Sequence, residues 1–187
     1  MAHQNLSAAE AVEKLKEGNK RYLEAASNPG DISLQIRKKT CDEGQEPYAV
    51  VITCSDSRVI PESIFTAGIG ELFVIRVAGN VIDNHQLGSI EYAAEHLGCN
   101  LVLVLGHTHC GAVGAAMGSE VSGFVKSITD QIRRAIGDEK DEIQASRLNV
   151  AQSVSVIKES LKLKEEDTLK VSGAIYHIDT GNVEFMD

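Results

Sequence analysis

Two short apolar runs in this chain each end abruptly in side chains that bind metals, and few folds accommodate that pattern twice. Val50-Val51-Ile52-Thr53 leads into Cys54-Ser55-Asp56-Ser57-Arg58, and Leu101-Val102-Leu103-Val104-Leu105 leads into Gly106-His107-Thr108-His109-Cys110. A short unbroken run of Val, Ile and Leu bounded by turn residues has the pattern of a parallel strand buried on both faces. In open α/β sheets the loops leaving the carboxyl ends of such strands form the ligand crevice. Cys54, Asp56, His107 and Cys110 are therefore expected to converge, although the two groups are far apart in sequence. Two thiolates, an imidazole and a carboxylate suit a tetrahedral zinc ion.

The rest of the chain supplies the other elements of such a sheet. Ser7 to Ala26 opens with a Ser7-x-x-Glu10 capping box and carries apolar residues at helical spacing, and Asn28-Pro29-Gly30-Asp31 stops it. Ile32 to Thr40 reads as a second short helix. Pro in the first turn marks a helix over Val59 to Phe65. Leu72 to Val77 is a second strand, Gln86 to Leu97 a helix ending at Gly98, and Gly111 to Met117 a helix of small residues suited to close packing on the sheet. Val121 to Ile136 and Ile143 to Leu163 follow as helices, with a solvated charged turn between them. Leu169 to Ile178 is the last strand. Strand and helix alternate, which predicts an α/β fold with a central, mostly parallel sheet of four to five strands flanked by helices, after an N-terminal helical arm.

Composition narrows the function. A chain of 187 residues with 43% hydrophobic content and only 3 prolines can bury one ample core. Its formal charge of -9 argues against binding nucleic acid or an anionic membrane. No run approaches a membrane span and the N-terminus lacks a signal-peptide pattern, so a cytoplasmic location is expected. Four cysteines make no disulfide framework, and a reducing compartment would leave Cys54 and Cys110 as thiolate ligands.

Spacing assigns roles within the constellation. If the strand end stays extended, Cys54, Asp56 and Arg58 project to one side. Asp56 can then coordinate zinc or accept a bidentate guanidinium from Arg58, which makes Arg58 a switch partner: paired with Arg58, Asp56 leaves zinc an open position, and as fourth ligand it closes the site. H-x-x-C spacing favours His107 over His109 as the ligand. His3, His96 and His177 have no partner spacing, His85 is a candidate for proton transfer to solvent, and Cys41 and Cys99 read as structural thiols. Gly68-x-Gly70 lacks the rest of a dinucleotide fingerprint.

Cys54-Ser55-Asp56-Ser57-Arg58-Val59 together with Gly106-His107-Thr108-His109-Cys110-Gly111 resembles the β-class carbonic anhydrases, and the likeness spans nearly the whole chain, which is closest to the plant-like branch of small prokaryotic type. The resemblance implies one domain over residues 1–187, with an arm over 1–40 and a zinc-binding α/β core over 45–187. It implies Cys54, His107 and Cys110 as zinc ligands, Asp56 and Arg58 as a catalytic dyad, and Gln45 as the group that orients substrate. Phe73, Ala78 and Tyr92 fall where the plant-like branch lines its CO2 pocket, partly across a dimer interface. A regulatory bicarbonate site that a bacterial branch builds with Trp is not expected, because Val51 holds that position. Ala112 replaces a more usual Gly, and Ala78 a larger Val.

The implied activity is reversible hydration of CO2 to bicarbonate and a proton by attack of zinc-bound hydroxide. Two thiolate ligands should weaken the Lewis acid, so activity is expected to rise above neutral pH. The rival readings are a carbon disulfide or carbonyl sulfide hydrolase on the same scaffold, and a non-catalytic zinc-stabilised protein in which Asp56 closes the site. The N-terminal helix, with little in its own sequence to anchor it, is expected to pack on a neighbouring subunit of a homodimer or homotetramer.

Overall fold

The structure, a computed structural model, describes residues 6–24, 30–119 and 121–186. Its centre is a five-stranded sheet built from β1 (Ala49–Thr53), β2 (Leu72–Arg76), β3 (Leu101–His107), β4 (Lys170–Tyr176) and β5 (Val183–Met186), in the order β2-β1-β3-β4-β5. The first four are parallel, with Val50 opposite both Phe73 and Val102, and Leu105 opposite Ala174. β5 returns antiparallel to β4. The alternation of side chains along β1 and β3 explains why both strands read as continuous apolar runs. Val51, Leu103 and Leu105 face a cluster with Leu15, Ile64 and Phe65, whereas Val50, Ile52, Val102 and Val104 face one with Ile90, Ala93, Val150 and Ile157. Both faces are covered, as a parallel sheet requires.

Seven helices complete the described fold: α1 (Ala8–Glu24), α2 (Leu34–Glu43), α3 (Pro61–Ile64), α4 (Asn84–Leu97), α5 (Gly111–Met117), α6 (Val125–Ile136) and α7 (Glu142–Ser160). The capping box at α1 forms, with Ser7 N–H donating to Glu10 Oε2 at 2.8 Å and Glu10 N–H to Ser7 Oγ at 3.3 Å. A second one, unforeseen, joins Asp83 and Gln86 and starts α4 two residues early. The expected end of α1 at Ala26 and its stop at Asn28-Pro29 lie outside the described residues, as does His3.

Three expectations need correction. First, α1 is anchored within its own chain. Ala11 and Leu15 are fully buried, Asn19 donates to the carbonyls of Ile64 and Gly181 and accepts from Val183 N–H, and Gly18 lies so close to Phe65 that a Cβ there would come within 1.9 Å of its carbonyl oxygen. The anchors are polar and small residues, which a search for apolar spacing passes over. By contrast α2 buries none of its residues. Second, α5 packs mainly on α6, α7 and a 3-10 turn at Ala78–Asn80 rather than on the sheet. Third, the strand expected over Leu169 to Ile178 stops at Tyr176 and is not the last. The turn after it, closed by Gly181 N–H to the His177 carbonyl, sends the chain back as β5, too short a strand to stand out from the sequence.

Candidate metal centre

Three elements deliver the site. β1 ends at Thr53 and presents Cys54; β3 runs two residues further than expected, so His107 is its last residue; Cys110 caps the start of α5. The ligand atoms of Cys54, His107 and Cys110 all lie within 4.8 Å of one another, and the three residues are 6%, 1% and 2% exposed. Val81, Val113, Ile132 and Ile136 pack around the cysteines. His109, the rival ligand, points outward, with its Nδ1 3.5 Å from Glu142 Oε2.

The hydrogen bonds fix what each donor can do. His107 Nδ1 lies 2.9 Å from the Thr108 carbonyl, which can only accept, so Nδ1 carries the proton. Nε2 then holds the lone pair, and it is buried without a hydrogen-bond partner. An orphaned buried acceptor of this kind costs stability unless something binds it, and a cation facing the two sulfurs would do so. Cys54 Sγ accepts from Gly79 N–H at 3.3 Å. The Cys110 thiol beside it, together with backbone N–H groups, holds the Cys54 thiol well below its ordinary pKa against the effect of burial. Cys110 itself is pushed up, because it donates to Cys54 and is buried. Burial works against a charge on His107, yet the Cys54 thiolate and the Thr108 carbonyl outweigh it and raise its pKa. Two sulfurs sharing one proton beside a free imidazole lone pair form a set that a borderline-soft divalent ion would complete, zinc above all.

Asp56 is not one of this trio. Its Oδ1 accepts from Arg58 Nε at 3.0 Å and its Oδ2 from Arg58 Nη2 at 2.8 Å, while Arg58 N–H also donates to Oδ1. Those bonds from Arg58 hold the Asp56 carboxyl well below the usual carboxylate range. The pairing comes from a turn and not from strand phase. The chain leaves β1 at Thr53 and bends at Ser57-Arg58, which corrects the expectation of an extended strand end.

The other site residues fall into two places. Ala78 begins the 3-10 turn whose Gly79 amide reaches Cys54, so it is at the metal end of the sheet. Gln45, Phe73 and Tyr92 are elsewhere. Gln45 adjoins Gly70, ahead of β2, and lines a cavity with Glu95, His96 and Gly98 at the end of α4. Phe73 is the second residue of edge strand β2, with its ring 6.2 Å from that of Tyr92, which in turn stacks on His96 at 5.2 Å. Within one chain these three sit toward the amino ends of the strands, away from the metal cluster. His85 is exposed at the start of α4. Cys99 is a buried structural thiol donating to the Pro47 carbonyl, whereas Cys41 is exposed.

Sequence reasoning missed the residues that hold the loops in place. Arg76, at the end of β2, donates to the carbonyls of Cys54 and Asp56. Asn149 and Ser153, one turn apart on α7, donate to the carbonyls of Gly79 and Asn80. A polar residue ending an apolar strand, and a polar pair interrupting the buried face of a helix, were the available signals.

The family model for carbonic anhydrase matches residues 49–183. A carbonic anhydrase of Mycolicibacterium smegmatis is 38% identical over 195 residues, covering 96% of this chain and 94% of that protein. Among solved structures, a β-carbonic anhydrase of Aspergillus fumigatus superposes with a TM-score of 0.70 at 27% identity, covering 96% of this chain and 90% of the other. One from Sordaria macrospora, described as tetrameric, gives 0.66 at 26% identity, covering 81% and 91%. With these likenesses running from α1 through the sheet and across both metal-ligand loops, the chain belongs to the β-carbonic anhydrase family.

Proposed function

We propose that this protein catalyses the reversible hydration of carbon dioxide to bicarbonate and a proton, with zinc held by Cys54, His107 and Cys110. The observation that carries this reading is the buried His107 Nε2, left without a partner beside two cysteine sulfurs and next to a carboxylate already committed to an arginine. Zinc, when bound, supplies the Lewis acidity that makes hydroxide available near neutral pH. Everything else is done by the chain.

A carboxylate has about four acceptor positions. Arg58 fills two on Oδ1 and one on Oδ2, leaving Asp56 one acceptor, which would take a hydrogen bond from the attacking oxygen and orient it toward carbon. Arg58 also keeps Asp56 ionised at neutral pH, so Asp56 accepts and does not donate. Gln45 would donate to a substrate oxygen. Because Gln45, Phe73 and Tyr92 gather at edge strand β2, a second copy across that edge supplies them to the site, and Ala78 lines it from the same chain. The active form is thus a homodimer or a tetramer of such dimers, in keeping with the tetrameric relative, and its reduced cysteines suit the cytoplasm. The non-catalytic reading requires Asp56 on the metal, and the paired Arg58 argues against it. Exchange of oxygen-18 between CO2 and water, followed by mass spectrometry, tests the reading: zinc-loaded protein should accelerate it and metal-free protein should not.

A further inference from the structure

Arg76 closes β2 at the metal end of the sheet, where its guanidinium meets two backbone carbonyls of another strand's loop. Nε donates to the Cys54 carbonyl at 3.2 Å and Nη2 to the Asp56 carbonyl at 2.6 Å. The two carbonyls belong to a metal-ligand residue and to the carboxylate residue two positions on, so one planar guanidinium spans the link between them. Only a fork of fixed geometry can hold both; a lysine offers a point charge. The Asp56 carbonyl also accepts from Val59 N–H at 3.1 Å, and the Asp56 carboxylate is engaged by Arg58. The orientation of Asp56 is thus fixed from both sides, by Arg58 at the side chain and by Arg76 at the backbone.

We propose that Arg76 is a positioning residue that keeps the metal site open, by holding the Cys54–Asp56 backbone so that the Asp56 carboxylate stays on Arg58 and off the ion. The inference takes its three ligands from the function proposed above, but it concerns a different quantity, the balance between Asp56 on Arg58 and Asp56 on the metal. Two positions from Cys54, the carboxylate is close enough in sequence to become a fourth ligand once its backbone is released. Removing the fork shifts the balance toward the closed form. Losing both bonds from a charged donor changes such an equilibrium by roughly a hundredfold, enough to turn an open-to-closed ratio of about ten to one into about one to ten.

The test uses the full-length protein loaded with cobalt(II), whose visible spectrum reports its ligands, titrated with azide, which needs an open coordination position. Azide should bind the natural protein with a spectral change, and Arg76→Ala should need roughly ten times more azide at the same cobalt content. Arg76→Lys should resemble Arg76→Ala, and it serves as the test should the alanine variant fail to fold. Adding Asp56→Ala to either variant should restore azide binding, because the competing carboxylate is gone; general damage to the fold would not be relieved this way. Equal azide affinity with and without Arg76, or a loss that Asp56→Ala does not relieve, overturns the proposal. Since the titration needs no turnover, a protein that shows this pattern yet fails to hydrate CO2 would uphold the role of Arg76 while refuting the proposed reaction.

Discussion

Arg58 Nη2 donates to the backbone carbonyl of His109 at 3.1 Å, and His109 holds a left-handed backbone conformation with φ of 55°. That bond ties the loop after β1 to the loop after β3. The guanidinium that grips Asp56 is itself tied to the segment that carries Cys110, so the Asp56–Arg58 pair is linked to the Cys54, His107 and Cys110 cluster.

Asp56→Asn keeps the size of the side chain but removes its charge and half its acceptor capacity. CO2 hydration should fall by about 10²- to 10⁴-fold, the range for losing a group that handles a proton, while zinc content is unchanged. Stopped-flow rates with metal analysis on the same samples check this; a fall explained by lost zinc would place Asp56 among the structural ligands.

Gly79 occupies φ of 67°, and a Cβ there would meet Ile132 Cδ1 at 2.7 Å and Ala112 Cβ at 3.0 Å. Gly79→Ala should therefore destabilise the protein by about 1–3 kcal/mol, combining backbone strain with crowding. Urea denaturation measures it. A stability equal to that of the natural protein would mean that α5 and α6 move aside freely.

Without a metal, His107 Nε2 is buried with no hydrogen-bond partner beside the two sulfurs. Chelation should lower the melting temperature, and readdition of zinc should restore it. Binding needs both thiols ionised and the imidazole neutral, so metal retention should weaken as pH falls. Calorimetry at pH 8 and pH 6 follows both effects.

At the far edge of the sheet, Arg147 and His177 hydrogen-bond to Glu184 and lower its pKa from the ordinary 4.5. A carboxylate depressed in the folded state adds stability that is fully present above its unfolded pKa and is lost as pH falls through the folded one. Glu184→Gln should thus flatten the acid side of the stability curve below about pH 5, by under about 1 kcal/mol because the group is 43% exposed. Denaturation midpoints from pH 3 to 7 would reveal an unchanged acid limb if the cluster contributes nothing.

The cluster of Cys54, His107 and Cys110 was legible because ligand chemistry and strand-end position coincide there, and β1 and β3 were legible because burial on both faces leaves an unbroken apolar run. The anchoring of α1 was not, since it depends on Gly18 and Asn19 meeting residues far along the chain. Arg76 and Asn149 were signalled only as polar residues at the end of an apolar strand and on the buried face of a helix, since the backbone carbonyls each one meets are set by the fold. Gln45, Phe73 and Tyr92 could be named from motif positions but not placed, and within one chain they lie away from the Cys54, His107 and Cys110 cluster.

The central claim is best tested by stopped-flow CO2 hydration on protein with its zinc content determined, at pH 7 and pH 8.5. Fast, zinc-dependent hydration that rises between the two pH values is the expected result, since two thiolates leave the zinc a weaker Lewis acid. Zinc bound at one ion per chain with no hydration at either pH would contradict the account.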